Sequence, residues 1–287
     1  MRYARVMAAA TVAALLGGCS DGSSNASTAP STATAATTIA STTTTTTSTT
    51  TTTTTTTTTV APTTSTTTDE AAGAEVQVFG TSVEGRPLEV IRRGDPGGRR
   101  ILVVGVIHGD EAAGRAIVDR LLTADVPAGV ELWLVPTLNP DGEAAGRRQN
   151  ANGVDLNRNF PARWAPLGVP GDWQYGGPAA ASEPETQAMV ALGAAIEPDL
   201  VLWYHQDLFR INPAEGRDGA IRARYAELTG LPLVAVTGGT YTGTAPQWAR
   251  TVVAPDGVGF TVELGPELPA DDADRHAAAV LTVAAEL

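Results

Sequence analysis

The sequence predicts an α/β domain: a single mostly parallel, mixed sheet flanked by helices on both faces. Three observations point there. "RILVVGVIHG" (100–109) and "DLVLWYHQ" (199–206) are almost continuously apolar, as strands covered on both faces must be. Segments of helical spacing alternate with such strands along the chain. From Ala74 to Leu287 there is no second break in composition and no internal repeat, so these 214 residues make one domain with one sizeable core.

The elements follow in order. "EVQVFG" (75–80) alternates apolar and polar residues as a strand does, and "PLEVIRRG" (87–94) is a second strand after a turn at Gly85 and Arg86. The buried strand at 100–107 runs up to His108. "DEAAGRAIVDRLLTA" (110–124) has helical spacing at Ala113, Ile117, Leu121 and Leu122, with acids in its first turn. "VELWLVP" (130–136) is a strand. Residues 137–182 form a long polar stretch rich in Gly and Pro, a length of loop that usually serves function. Then come a helix at 183–195, the strand at 199–206, a helix at 216–228, strands at 232–236 and 259–265, and a C-terminal helix at 270–286. In such sheets ligands sit beyond the carboxyl ends of the strands.

The first 73 residues do not belong to this domain. Arg2 and Arg5 precede a short apolar core, Met7 to Leu16, which reads as a targeting segment of residues 1–18. "LLGGCS" resembles a bacterial lipobox, which implies cleavage before Cys19 and lipid on its thiol. Cys19 is the one cysteine, so no intramolecular disulfide forms. Residues 19–73 are nearly all Ser, Thr, Ala and Pro. Such a stretch has no apolar face to offset its ordering entropy and reads as an extended, disordered stalk. These features place the domain outside the cytoplasm, held to the outer face of the cell membrane only by the N-terminal lipid.

All 19 basic residues are arginine. In the domain, 17 of them face 28 acids, about −11. That balance excludes nucleic acid as a partner class and disfavours anionic lipid surfaces.

The residues with chemistry gather at strand ends. His108 follows one buried strand, with Glu111 three residues on at the turn into a helix; His205 ends another. Two imidazoles and one carboxylate are the donor set of a catalytic zinc with an open fourth position. On spacing alone the trio also fits hydrogen-bonded structural residues. His276 lies on a helix that reads as surface. "RRQNANGVDLNRNF" (147–160) packs three arginines and four asparagines into fourteen residues, a pattern suited to anionic or carbonyl groups.

Together, "VEGRPLEV", "GVIHGDE", "NPDG", "RQNANGVDLNRNF", His205 and "FTVELG" resemble the zinc carboxypeptidases, the carboxypeptidase A-like metallopeptidases. The likeness is strongest to the compact bacterial branch that includes murein peptide amidases. The resemblance implies one zinc ion held by His108, Glu111 and His205, with Glu263 as general base. It makes Arg148 the group that polarises the scissile carbonyl. Asn157 and Arg158 become the grip on the substrate's terminal carboxylate, and Asp155 the acceptor behind the first zinc histidine. Tyr241 either caps that carboxylate or packs. Pro246 and Gln247 fall at the base of the specificity pocket, where neither carries charge, and Asp207 is placed to meet a substrate amine.

The implied activity is zinc-dependent hydrolysis of a C-terminal peptide or amide bond. The implied substrate is a peptide with a free carboxylate, above all a murein peptide such as γ-D-glutamyl-diaminopimelate. A general carboxypeptidase acting on secreted peptides, an N-acyl amino acid deacylase and a non-catalytic wall-binding module are the alternatives.

Overall fold

The most continuously apolar strands take the middle of the sheet. The structure, a computed structural model, describes residues 66–69 and 74–287. The expected targeting segment, Cys19 and most of the stalk lie outside the described residues. The described strands are β1 (Thr66–Asp69), β2 (Ala74–Thr81), β3 (Pro87–Gly94), β4 (Arg99–Val104), β5 (Val130–Val135), β6 (Leu200–Gln206), β7 (Arg210–Ile211) and β8 (Val258–Leu264). They form one mixed sheet in the order β1-β2-β3-β5-β4-β6-β8-β7. The central four, β5-β4-β6-β8, are parallel, and the strands flanking them pair antiparallel. β1 falls inside the stretch read as stalk, so the paired chain begins before Ala74.

Helices cover both faces. The helices are α1 (Gly114–Leu121), α2 (Pro140–Ala145), α3 (Pro184–Ile196), α4 (Gly216–Thr229), α5 (Ala245–Ala249) and α6 (Ala270–Glu286). On one face α1, α4 and α6 pack over Ile101, Val103, Leu202 and Phe260. On the other, α3 and α5 pack over Leu102, Val104, Val201 and Trp203. Alternate residues of β4 and β6 thus enter opposite cores, which is why these strands carry no polar alternation. No helix among the described residues is long and apolar enough to cross a membrane.

Several boundaries differ from the sequence reading. β4 stops at Val104, so His108 lies four residues past the sheet rather than at the end of a strand. α1 starts at Gly114, and the acids at 110 and 111 precede it instead of filling its first turn. Residues 232–236 form only a single bridge, Ile211 to Leu233. Val234 and Val236 are exposed there, because the neighbouring β7 is two residues long and gives them no face to cover. The polar stretch 137–182 holds α2 and a 3-10 turn at Leu156–Arg158.

His276 is buried rather than on the surface, 4% exposed. Its Nδ1 lies 2.9 Å from Tyr225 Oη, in hydrogen-bond contact, and Tyr225 Oη lies 2.7 Å from Tyr204 Oη. Burial pushes the imidazole down to about 4 from its usual 6.5. As pH falls from 6.5 to 4 the unfolded chain takes up a proton here that the folded chain does not. Stability is therefore lost over that window, by about 3 kcal/mol from this group. In His276→Gln, which keeps an acceptor for Tyr225, the unfolding free energy measured in denaturant should fall less steeply between pH 6.5 and 4. An unchanged slope counts against this assignment.

Candidate metal centre and active site

Beyond β4 the chain turns sharply. Glu111 N donates to His108 O at 3.0 Å, which brings both side chains to one side. Gly109 lies so close to α2 that a Cβ there would sit 2.0 Å from the Gly142 carbonyl carbon, so glycine is required between them. His108 Nδ1 lies 3.0 Å from Glu111 Oε2, His205 Nδ1 2.7 Å from the same oxygen, and the two Nδ1 atoms 3.1 Å apart. Tetrahedral zinc with bonds near 2.1 Å holds its donor atoms about 3.4 Å apart, close to this triangle.

The ring chemistry agrees. His108 Nε2 faces Asp155 Oδ1 at 3.0 Å, which places its proton there and leaves the Nδ1 lone pair for a metal. Burial pushes the Glu111 carboxyl up, but the two histidines set against it outweigh that and hold it well below the usual carboxylate range. The residues fit a zinc ion.

The "RRQNANGVDLNRNF" loop is held largely by its own asparagines. Asn150 Oδ1 accepts from the backbone of Asn152 and Val154, while its Nδ2 donates to Glu183 and Glu185. Asn159 Nδ2 donates to Gly176 O, Ala179 O and Ser182 Oγ. These asparagines tie the loop to itself and to the chain at 176–185, a role that composition alone did not reveal. Phe160 anchors the loop's end, its ring 4.9 Å from Trp248 and 5.7 Å from Trp203.

"NPDG" is a second tie. Asn139 Oδ1 caps α2 by accepting from Gly142 N, and its Nδ2 donates to Ile107 O and Arg148 O. It thus joins the histidine turn to the arginine loop. Asp141 accepts from Ser82 Oγ, Glu84 N and Arg86, which fastens the "VEGR" turn to the same helix.

Asp155 is the hub of the site. Oδ1 accepts from Asn157 N as well as facing His108, and Oδ2 accepts from Arg148 Nε at 3.0 Å with Arg148 Nη2 at 2.9 Å. Burial raises its carboxyl, and His108 and the nearby arginines pull it far below the usual range. Arg148 also donates to Glu111 Oε1 at 2.9 Å, the oxygen turned away from the histidines. Its guanidinium lies 4.6 Å over the Trp173 ring. The sequence reading passed over Trp173, which is 62% exposed at the cavity mouth; a tryptophan in a polar Gly/Pro stretch was the available signal.

A cavity of about 900 Å³ opens over the donor triangle, lined by Arg148, Asn157, Arg158, Tyr241 and Glu263. Asn157 is engaged by protein at both ends. Its Oδ1 accepts from Ala245 N, and its Nδ2 lies 3.2 Å from His205 Nε2. Arg158 is the member of that pair with donors to spare. It is 3% exposed, gives only Nη1 to Asn157 O, and has a buried Nε with no partner. Tyr241, half exposed, places its ring 5.4 Å from the Arg158 guanidinium. Glu263 stands level with His205 in the β6–β8 register. Burial pushes its carboxyl up. Pro246 and Gln247 also line the cavity, and Asp207 is exposed beside it.

Comparison with known proteins agrees with this geometry. The zinc carboxypeptidase family matches residues 63–207, which span all three donors and stop short of Glu263. Murein peptide amidase A of Escherichia coli K12 is 32% identical over 181 residues, covering 59% of this chain and 74% of that protein. The catalytic chain of human carboxypeptidase N is 30% identical over 191 residues, covering 52% and 39%. Murein-tripeptide amidase from Escherichia coli O157 shares the structure with a TM-score of 0.57 at 28% identity, covering 73% of this chain and 91% of that one. Carboxypeptidase A of Helicoverpa armigera, at 20% identity, has the same fold with a TM-score of 0.66, covering 75% and 68%. The donor set expected from the sequence meets at one point under that fold, the enzyme is a metal-dependent hydrolase that uses one zinc, and the chain belongs to the zinc carboxypeptidase family.

Proposed function

We propose that this enzyme hydrolyses the amide bond before a residue with a free α-carboxylate, in murein peptides such as those ending in γ-D-glutamyl-diaminopimelate. The observation that carries the reading is Arg158: a buried guanidinium with unspent donors, on the wall of the cavity over the donor triangle. A planar guanidinium suits a carboxylate. Zinc bound by His108, Glu111 and His205 supplies Lewis acidity, polarising a carbonyl and making water more acidic. Arg158 seats the terminal carboxylate, with Tyr241 beside it. Arg148 donates toward the oxygen on which charge develops. Glu263 takes the proton from the attacking water and passes it to the leaving nitrogen. Likeness to two murein amidases supports the substrate class, and the lipid expected on Cys19 would hold the enzyme beside the cell wall.

The test is incubation of the zinc-loaded enzyme with L-Ala-γ-D-Glu-meso-diaminopimelate and with a library of ordinary peptides. Diaminopimelate should be released, the release should stop with a chelator, and added zinc should restore it. Release of C-terminal L-residues from the library with the muropeptide untouched would instead identify a general carboxypeptidase.

A further inference from the structure

The cavity holds a cation that this mechanism leaves unused. Arg210 begins β7, and the antiparallel register sets it opposite Glu263. Side chains opposed in this way share a face of the sheet. Glu263 is level with His205, so Arg210 reaches the cavity on the metal side. Of the other arginines there, Arg148 is held by Asp155 and Glu111, Arg222 is held by Asp218 and Asn212 O, Arg158 is assigned to the first carboxylate, and Arg147 and Arg250 are exposed to water. The charge of Arg210 acts on the Glu263 carboxyl across the ladder, but its side chain forms no ion pair or hydrogen bond among the described residues, and its Nε is shielded from water without a partner. A half-buried cation with spare donors is costly unless an anion arrives to pair with it.

We propose that Arg210 binds a second carboxylate of the substrate, carried on the side chain of the residue that is released. The enzyme then selects dicarboxylic leaving residues. This rests on the reading above, in which Arg158 takes the first carboxylate. In diaminopimelate the second carboxylate shares its carbon with an amine, and Asp207, exposed on the same cavity three residues before Arg210, is the matching acid.

The test compares two tripeptides that differ by that carboxylate alone: L-Ala-γ-D-Glu-meso-diaminopimelate and L-Ala-γ-D-Glu-L-Lys. The full-length zinc-loaded enzyme should favour the first in kcat/KM by about 10- to 100-fold, the range for losing one charged partner. Arg210→Gln should bring that ratio close to one, and Arg210→Lys should keep part of it. Calorimetry of free meso-diaminopimelate and free L-lysine on the same proteins should show the same ratios without turnover. A wild-type ratio near one, or a ratio unchanged in Arg210→Gln, overturns the proposal. If the wild-type enzyme cleaves neither tripeptide, the murein reading fails by itself. Benzoylglycyl-L-Glu against benzoylglycyl-L-Gln then decides Arg210: a preference for Glu lost in Arg210→Gln upholds it, and its absence or persistence refutes it.

Discussion

Glu263→Gln should retain stoichiometric zinc and lose roughly three powers of ten or more in kcat. Glu263 lies outside the donor triangle but on the same cavity, level with His205. It makes no hydrogen bond or ion pair within the described chain, so its carboxylate is not spent on structure. Glutamine has the same shape and fills the same half-buried place on β8, but an amide cannot accept the proton from water. Metal analysis and steady-state kinetics on the purified variant check both halves. Activity within tenfold of wild type would remove Glu263 from the mechanism, and loss of zinc would mean that it supports the metal centre instead.

The second large effect concerns Asp155. Removing its carboxylate strips His108 Nε2 of its acceptor, Arg148 of two contacts and Asn157 N of its partner, all in a buried place. For Asp155→Ala the expected outcome is a zinc affinity lower by about 10- to 100-fold, because the histidine's tautomer and orientation are no longer fixed. A stability loss of about 3 kcal/mol should accompany it, since buried charged donors are left unpaired. Competition with a chromogenic chelator reads the first, and denaturant unfolding of the metal-free protein reads the second. Asp155→Asn separates them: it keeps volume and an acceptor oxygen, so it should recover more stability than zinc affinity. Wild-type zinc affinity in Asp155→Ala would show that the His108 ring is fixed by packing alone.

Much of this was visible in the sequence because its signals are local. β3 is found where "PLEVIRRG" placed it, and β6 and β8 fall within a residue of expectation, since strands covered on both faces write long apolar runs. The zinc donors were legible because histidine is scarce here and, of the three, one falls just past a buried strand and another at the end of one. What was hidden depends on distant partners. β7 has two residues and α5 five, too short for any periodicity to show. The strand expected at 232–236 had a suitable apolar pattern but no neighbour long enough to pair with it. His276 looked like a surface residue because its cover, Tyr225, comes from another helix. The asparagines of the 147–160 loop looked like binding groups, yet their side chains tie the loop to itself and to the chain around it, and only tertiary contacts separate that use from ligand contact.

The in-register pairing of β6 with β8 also says where this enzyme is free to change. His205 and Glu263 are set side by side by seven consecutive backbone pairs, from Leu200–Val258 to Gln206–Leu264. Between them the chain from 207 to 257 adds β7 to the outer side of β8, beside Glu263, and packs α4 and α5 into the two cores. It also carries Asp207, Arg210, Tyr241, Pro246 and Gln247, which line the cavity where we propose that the released part of the substrate sits. The reacting groups are thus held by the sheet, while the residues proposed to choose the substrate ride on the connection between its strands. Substitutions at those cavity-facing positions should retarget the enzyme while its hydrolytic centre stays in place.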